Sequence, residues 1–139
     1  MSYEKPLPAI DNWNRRFWES TREHRLVAQA CQECATVFFP PGPVCPHCLS
    51  SALEWRSLSG RGKVESWVVF HQLYYKGFKD ELPYNVAMIR LEEGVRMLSN
   101  VIDTPNESLH VEMAVEVVFE PATDEIAMPK FRPSQAAAS

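Results

Sequence analysis

Four cysteines stand in two pairs, Cys31-Gln-Glu-Cys34 and Cys45-Pro-His-Cys48, with ten residues between the pairs. A CxxC turn presents two thiolates to one ion from a tight knuckle, and two knuckles complete a tetrahedral, all-sulfur shell. Soft thiolates in fourfold coordination favour zinc, with iron as the main rival. A shell closed by four protein ligands leaves no position for water or substrate, so the ion is expected to be structural. Disulfides and thioredoxin-like exchange are the alternatives, and the doubling of the CxxC turn counts against both. His47, inside the second knuckle, reads as a neighbour of the site and not as a fifth ligand. Residues 31–48 cannot bury enough apolar surface to fold alone, so the metal supplies the stabilisation. Phe38, Phe39 and prolines 40, 41 and 43 stiffen the segment between the knuckles, which reads as scaffold.

The second group with chemical capacity lies between His71 and Tyr84. Tyr74, Tyr75, Lys76, Phe78 and Lys79 surround a single glycine there. Aromatic rings can stack on a planar base while lysines neutralise phosphate. The plain alternative is a loop that caps the fold with its own rings. No Ser/His/Asp arrangement, P-loop or GxGxxG is present, and Glu92-Glu93 and Asp124-Glu125 fall at turns. No catalytic residue is assigned, and catalysis is not expected of this chain alone.

These groups need elements to hold them. The spacing of Ile10, Trp13 and Phe17 predicts a helix over Asp11–Glu23, capped by Asp11, with Trp18 widening its apolar face. Either this helix packs on its own domain, or Trp13, Phe17 and Trp18 form an arm that meets another subunit. From Gly62 the pattern changes to strands, predicted at 64–72, 84–92, 95–102, 114–120 and 125–131. Glu93-Gly94 predicts a tight hairpin, and Gly60 and Gly62 predict a bulge or close approach at the start of the first strand. In the fourth strand Val115, Val117 and Phe119 should point inward. The first strand is apolar on both faces, with Trp67 and Val69 opposite Val64, Val68 and Phe70. Such a strand needs a cover, which the N-terminal helix, the cysteine module or a partner chain could supply, so Trp67 joins the candidates for a partner interface.

Five short strands in about 70 residues is the count of a Greek-key barrel of the OB type. The fold expected is mainly β: an N-terminal helical arm at 1–28, a four-cysteine zinc ribbon at 29–58, a five-stranded OB-type barrel at 59–133 and a tail at 134–139. At 139 residues, 45% hydrophobic and 23% charged, the chain suits one globular domain or a small domain with an appended module. The net charge of −4 weighs against a polynucleotide-tracking role, which needs an extended basic groove. The apolar runs fall short of the roughly 18–20 residues of a membrane span. MSYEKPLPAI has no apolar signal core, so a cytoplasmic setting with reduced thiols is expected.

The order of parts adds a further expectation. An aromatic helix, CxxC-x10-CxxC, SGRGKVESWVVFHQ, PYNVAMIRLEEGVRMLSNVID, VEVVFE and IAMPKFRP follow one another from about residue 13 to 133. This resembles the acyl-CoA-associated family that joins a rubredoxin-like zinc ribbon to an OB fold. Ala114 departs from the pattern, since the family usually has glycine before the fourth strand. The resemblance implies a small accessory subunit of a thiolase-like enzyme working in acyl transfer, thiolysis or retro-aldol cleavage of CoA thioesters. It implies that a partner supplies the nucleophile while this chain completes the CoA site or the assembly. Arg61, Lys63, Lys76, Lys79, Arg90 and Arg96 then form the pool of phosphate partners. Neither nucleic acid nor membrane is an expected partner, although a single-stranded nucleic-acid module is the alternative function for a ribbon joined to an OB fold.

Overall fold

The computed structural model describes residues 9–71, 82–124 and 126–134. Asp11 organises the first of these segments: its Oδ1 accepts the backbone N–H groups of Trp13 and Asn14 at 2.8 and 2.9 Å. Helix α1 follows as Arg15–Arg22, shorter than the predicted span because that Asp11 turn takes up its first residues. His24, at φ 61, turns the chain out of the helix and into β1 (Val27–Cys31). Strands β2 (Val37–Phe38) and β3 (Leu53–Ser57) flank β1 in an antiparallel sheet ordered β2-β1-β3. Buried Gln29 on β1 accepts the Gly42 N–H at 2.7 Å, tying down the segment between the knuckles.

The remaining strands are β4 (Arg61–Phe70), β5 (Tyr84–Leu91), β6 (Arg96–Ser99), β7 (Ala114–Pro121) and β8 (Ala127–Pro133). They form one sheet ordered β6-β5-β4-β7-β8, with every neighbouring pair antiparallel. The sheet curls until Val101, just past β6, bridges Phe131 of β8 in parallel. The result is the half-barrel of an OB fold, preceded by helix and ribbon. Leu91 and Val95 close the β5–β6 hairpin over Glu92-Glu93-Gly94, and Gly94 takes φ 87, as a three-residue hairpin loop requires.

Gly60 sits at φ 78, and a Cβ there would fall 2.5 Å from Val117 Cγ1. Left-handed strain and overpacking act together, so Gly60→Ala should cost roughly 3 kcal/mol of stability. Chemical denaturation of the variant checks this; an unchanged midpoint would refute the close approach.

The core is continuous across helix, ribbon and barrel. Phe17 and Trp18 are 2% and 9% exposed, in one cluster with Leu26, Val27, Val64, Ile89 and Phe131. The two rings meet edge to face at 4.9 Å, and Phe17 also packs on Phe39 at 5.2 Å. This corrects the expectation of a partner interface for Phe17 and Trp18, whose rings are buried by their own fold. Trp13 alone of that trio is open, at 51%.

A second correction concerns Trp67. The β4–β5 register shifts between Val64 and Ser66, a bulge that places one extra residue on β4. Past the bulge the alternation inverts: Trp67 pairs with fully buried Ala87 and packs against the core, whereas Val68 turns outward at 56% exposure. On β7, Val115 is buried and Val117 and Phe119 pack on the core, as the alternation predicts.

Candidate functional site

The cysteine site is assembled by two knuckles of the same backbone design. In the first, Ala35 N–H reaches Cys31 O at 2.9 Å and Cys31 N–H reaches Thr36 O at 2.8 Å. In the second, Leu49 N–H reaches Cys45 O and Cys45 N–H reaches Ser50 O, both at 2.8 Å. The residue after each second cysteine, Ala35 or Leu49, sits in the left-handed region at φ 64 or 67. Leu49 is 72% exposed, so its side chain contributes little packing to set against that strain. Leu49→Gly should therefore raise stability by about 0.5–1 kcal/mol in thermal unfolding of the zinc-loaded chain.

The four sulfurs lie within 4.8 Å of one another, with Cys31–Cys48 and Cys34–Cys45 both at 3.6 Å. Ligands at the ordinary zinc–sulfur distance of about 2.3 Å stand about 3.8 Å apart around a tetrahedron, so the donor set fits zinc in both type and spacing. Cys31 and Cys45 are buried, Cys34 is half-buried and Cys48 exposed, which places one edge of the shell toward solvent. His47 lends the site its backbone N–H, which donates to Cys45 Sγ at 3.3 Å.

Thr36, not singled out by spacing, lies with its hydroxyl 3.2 Å from Cys34 Sγ. Hydrogen bonds from its side chain and backbone bring the Cys34 thiol down to about 6. Cys48 goes the other way, to about 12. A backbone hydrogen bond from Ser50 favours its thiolate, but Cys31, burial and the remaining sulfurs together outweigh it. Four thiols so close cannot all ionise without a cation among them, so metal binding must displace protons. The sign follows: a lowered thiol pKa favours the folded site at high pH, and that contribution is lost as pH falls through it. Zinc should stay bound near neutral pH and be released as acid protonates the thiolates, with proton uptake accompanying release, followed with a metallochromic dye.

Tyr74, Tyr75, Lys76, Phe78 and Lys79 lie outside the described residues. Their flanks are defined: Phe70 and Tyr84 stack with centroids 5.2 Å apart at the end of β4. The other members of the cation pool lie toward the opposite end of the sheet, with Arg61 and Lys63 roughly 23–30 Å from Phe70 along β4 and Arg90 and Arg96 beside Lys63 on the next strands. There Arg61 pairs with Glu92 at 3.2 Å, Lys63 with Glu112 at 3.6 Å and Arg96 with Glu65 at 2.9 Å. Arg90 holds Glu65 at 3.2 Å and Glu112 at 3.0 Å, and its hydrogen bond keeps the Glu112 carboxyl below its usual range. Each of these cations already faces a carboxylate.

The outer face of β4, β5 and β6 is different. Val68 pairs with Val86, and Met88 lies between Ser66 and Leu98. Val68 and Leu98 are 56% and 62% exposed, Val86 and Met88 half-buried, and the row continues to Phe70 and Tyr84. Sequence alternation could not find this apolar face, because the bulge hides its phase on β4. Among the described residues no helix is long and apolar enough to cross a membrane.

Comparison with known proteins agrees with this architecture part by part. A family model for the rubredoxin-like zinc ribbon domain of ChsH2 matches residues 18–54, and one for the C-terminal OB-fold domain of ChsH2 matches residues 55–120. The chain is 38% identical over 106 residues to a DUF35 domain-containing scaffold protein of Methanocaldococcus jannaschii, covering 75% of this chain and 74% of that one. It is 36% identical over 130 residues to a probable enoyl-CoA hydratase alpha subunit of Thermomonospora curvata, covering 94% of this chain but only 40% of that longer protein. Among solved structures, a chain of the Ltp2-ChsH2(DUF35) aldolase superposes with a TM-score of 0.81 at 35% identity, covering 91% of this chain and 98% of that one.

Proposed function

Since the chain belongs to the ChsH2 family of rubredoxin-like zinc ribbons joined to OB folds, we propose that it is the small, non-catalytic subunit of a complex whose thiolase-like partner acts on CoA thioesters. The observation that carries this reading is the apolar outer face of β4–β6, where Val68 and Leu98 stand open beside Val86 and Met88. A contiguous apolar patch on a soluble fold marks a docking site, and the six-residue row is of the scale that anchors one. The occupant is argued from the relatives: one is named a scaffold protein, another an alpha subunit, and the superposed structure is an aldolase with a partner in its name.

In this reading the zinc is structural and turnover belongs to the complex, in acyl transfer, thiolysis or retro-aldol cleavage. CoA enters beside the partner's active site, with Tyr74, Tyr75 and Phe78 offered to the adenine and Lys76 and Lys79 to phosphate. Reduced thiolate ligands accord with a cytoplasmic setting. Pairing of Arg61, Lys63, Arg90 and Arg96 with carboxylates favours the protein partner over a nucleic-acid strand, which needs uncommitted cations.

Affinity isolation from the native cell at moderate salt tests the proposal. A thiolase-like chain at near-equal stoichiometry is expected in the eluate. Recovery of nucleic acid alone would overturn it. In the isolated complex, Lys76→Ala with Lys79→Ala should weaken CoA-thioester binding about tenfold, read by calorimetry; unchanged affinity would remove these lysines from the site.

A further inference from the structure

Strand β4 is paired on both sides only at its start. Arg61–Lys63 face Ala114–Glu116 of β7. The next residue, Val64, donates its N–H to Met113 O at 3.0 Å, and its carbonyl accepts the Glu112 N–H at 2.8 Å. Past the bulge, Ser66–Phe70 keep β5 on one side, from Met88 to Tyr84, and have no described strand on the other. The chain that flanks the start of β4 departs at Glu112, where the neighbouring Val111 is 59% exposed. Beyond it lies an open slot in the sheet, five residues and about 17 Å long.

The register fixes which backbone groups face that slot. Leu91 exchanges its bonds with Gly94 and Val95 on the β6 side, so Tyr84, Val86 and Met88 aim their N–H and C=O groups at β4. Their partners Phe70, Val68 and Ser66 are therefore the residues bonded to β5. Trp67 and Val69, between them, turn their N–H and C=O groups to the slot, and none of these four groups is bonded to a described residue. Their side chains are half-buried, Trp67 against the core. Natural sheets guard such edges with proline, lysine or an inward charge, and Ser66-Trp67-Val68-Val69-Phe70 carries none of these. Two donor–acceptor pairs repeated about 7 Å apart match the backbone of another extended chain.

We propose that this edge of β4 takes an extended strand of the partner subunit, which joins the sheet through Trp67 and Val69. The proposal rests on the accessory-subunit reading and names the form of the partner's contact. The slot borders the apolar outer face, because Val68 lies between the two open residues, and that continuity gives face and edge the same occupant. An added strand sets its outward side chains beside Val68 and its inward ones beside Trp67 and Val69. The partner segment is thus short, uncharged at its centre and apolar on both faces.

The test is amide hydrogen exchange at single-residue resolution, on the zinc-loaded full chain and on the complex isolated from the native cell. The Trp67 and Val69 amides should exchange readily in the free chain and at least about 100-fold more slowly in the complex, with Val68 protected in both. Val69→Pro leaves the β4–β5 bonds in place, since the Val69 N–H is not part of that ladder, and its ring blocks the slot. It should weaken assembly about tenfold or more beyond Val69→Ala, which loses the side chain alone. A complex in which both amides still exchange readily overturns strand addition and leaves the accessory-subunit reading standing, as does a Val69→Pro variant that assembles as tightly as Val69→Ala. Protection already present in the free monomer, or arising in a homodimer, also overturns it, because the edge is then covered by this chain or a second copy. If only the free chain is recovered, with both amides open, both readings fall.

Discussion

Cys45→Ser is expected to empty the metal site and unfold the ribbon. Cys45 is fully buried, faces Cys34 at 3.6 Å and receives the His47 N–H, so serine replaces a thiolate at the centre of the shell. Structural zinc contributes roughly 10–16 kcal/mol in isolated finger modules, more than a small domain's whole net stability. The loss should not stay local. Leu26 and Val27, at the start of the strand that ends in Cys31, are part of the same core as Ile89 and Phe131 of the barrel. Elemental analysis should find well under one zinc per chain, and the thermal transition should broaden and fall. A variant that kept stoichiometric zinc and the parental melting temperature would refute a four-cysteine structural site. Chelation of the parent protein should reproduce the same unfolding.

The second large effect is expected on assembly with little effect on the fold. Val68 and Leu98 are 56% and 62% exposed, and aspartate at such positions disturbs stability only slightly. Placed in an interface, each aspartate loses about 1.5–3 kcal/mol of apolar burial and adds the cost of desolvating a charge. Val68→Asp with Leu98→Asp should raise the dissociation constant of the complex at least about 100-fold while leaving the melting temperature close to the parent's. Trp13→Ala, off this face, should change it far less. Unaltered affinity in the double variant would move the interface elsewhere.

The cysteine site was legible in the sequence because ligand type and spacing are themselves the geometry of a knuckle. The barrel strands were legible from β-branched runs between turn formers, and the inward side of β7 from simple alternation. Three things were not. Helical spacing gave Phe17 and Trp18 a common face but could not say that the ribbon and barrel of the same chain would cover it. On β4 the bulge near Glu65 breaks the alternation, so the outward residue is Val68 and not Trp67. The ribbon strand β1 is buried at all five positions and shows no periodicity to read.

The measurement that bears most directly on the accessory-subunit account is hydroxyl-radical footprinting of the chain, free and in its purified complex. The account predicts that Met88 and Leu98 are oxidised in the free protein and protected in the complex, while Trp13 reacts equally in both. Oxidation of Met88 and Leu98 that persists in the complex, with Trp13 protected instead, would contradict it and return the interface to the N-terminal segment.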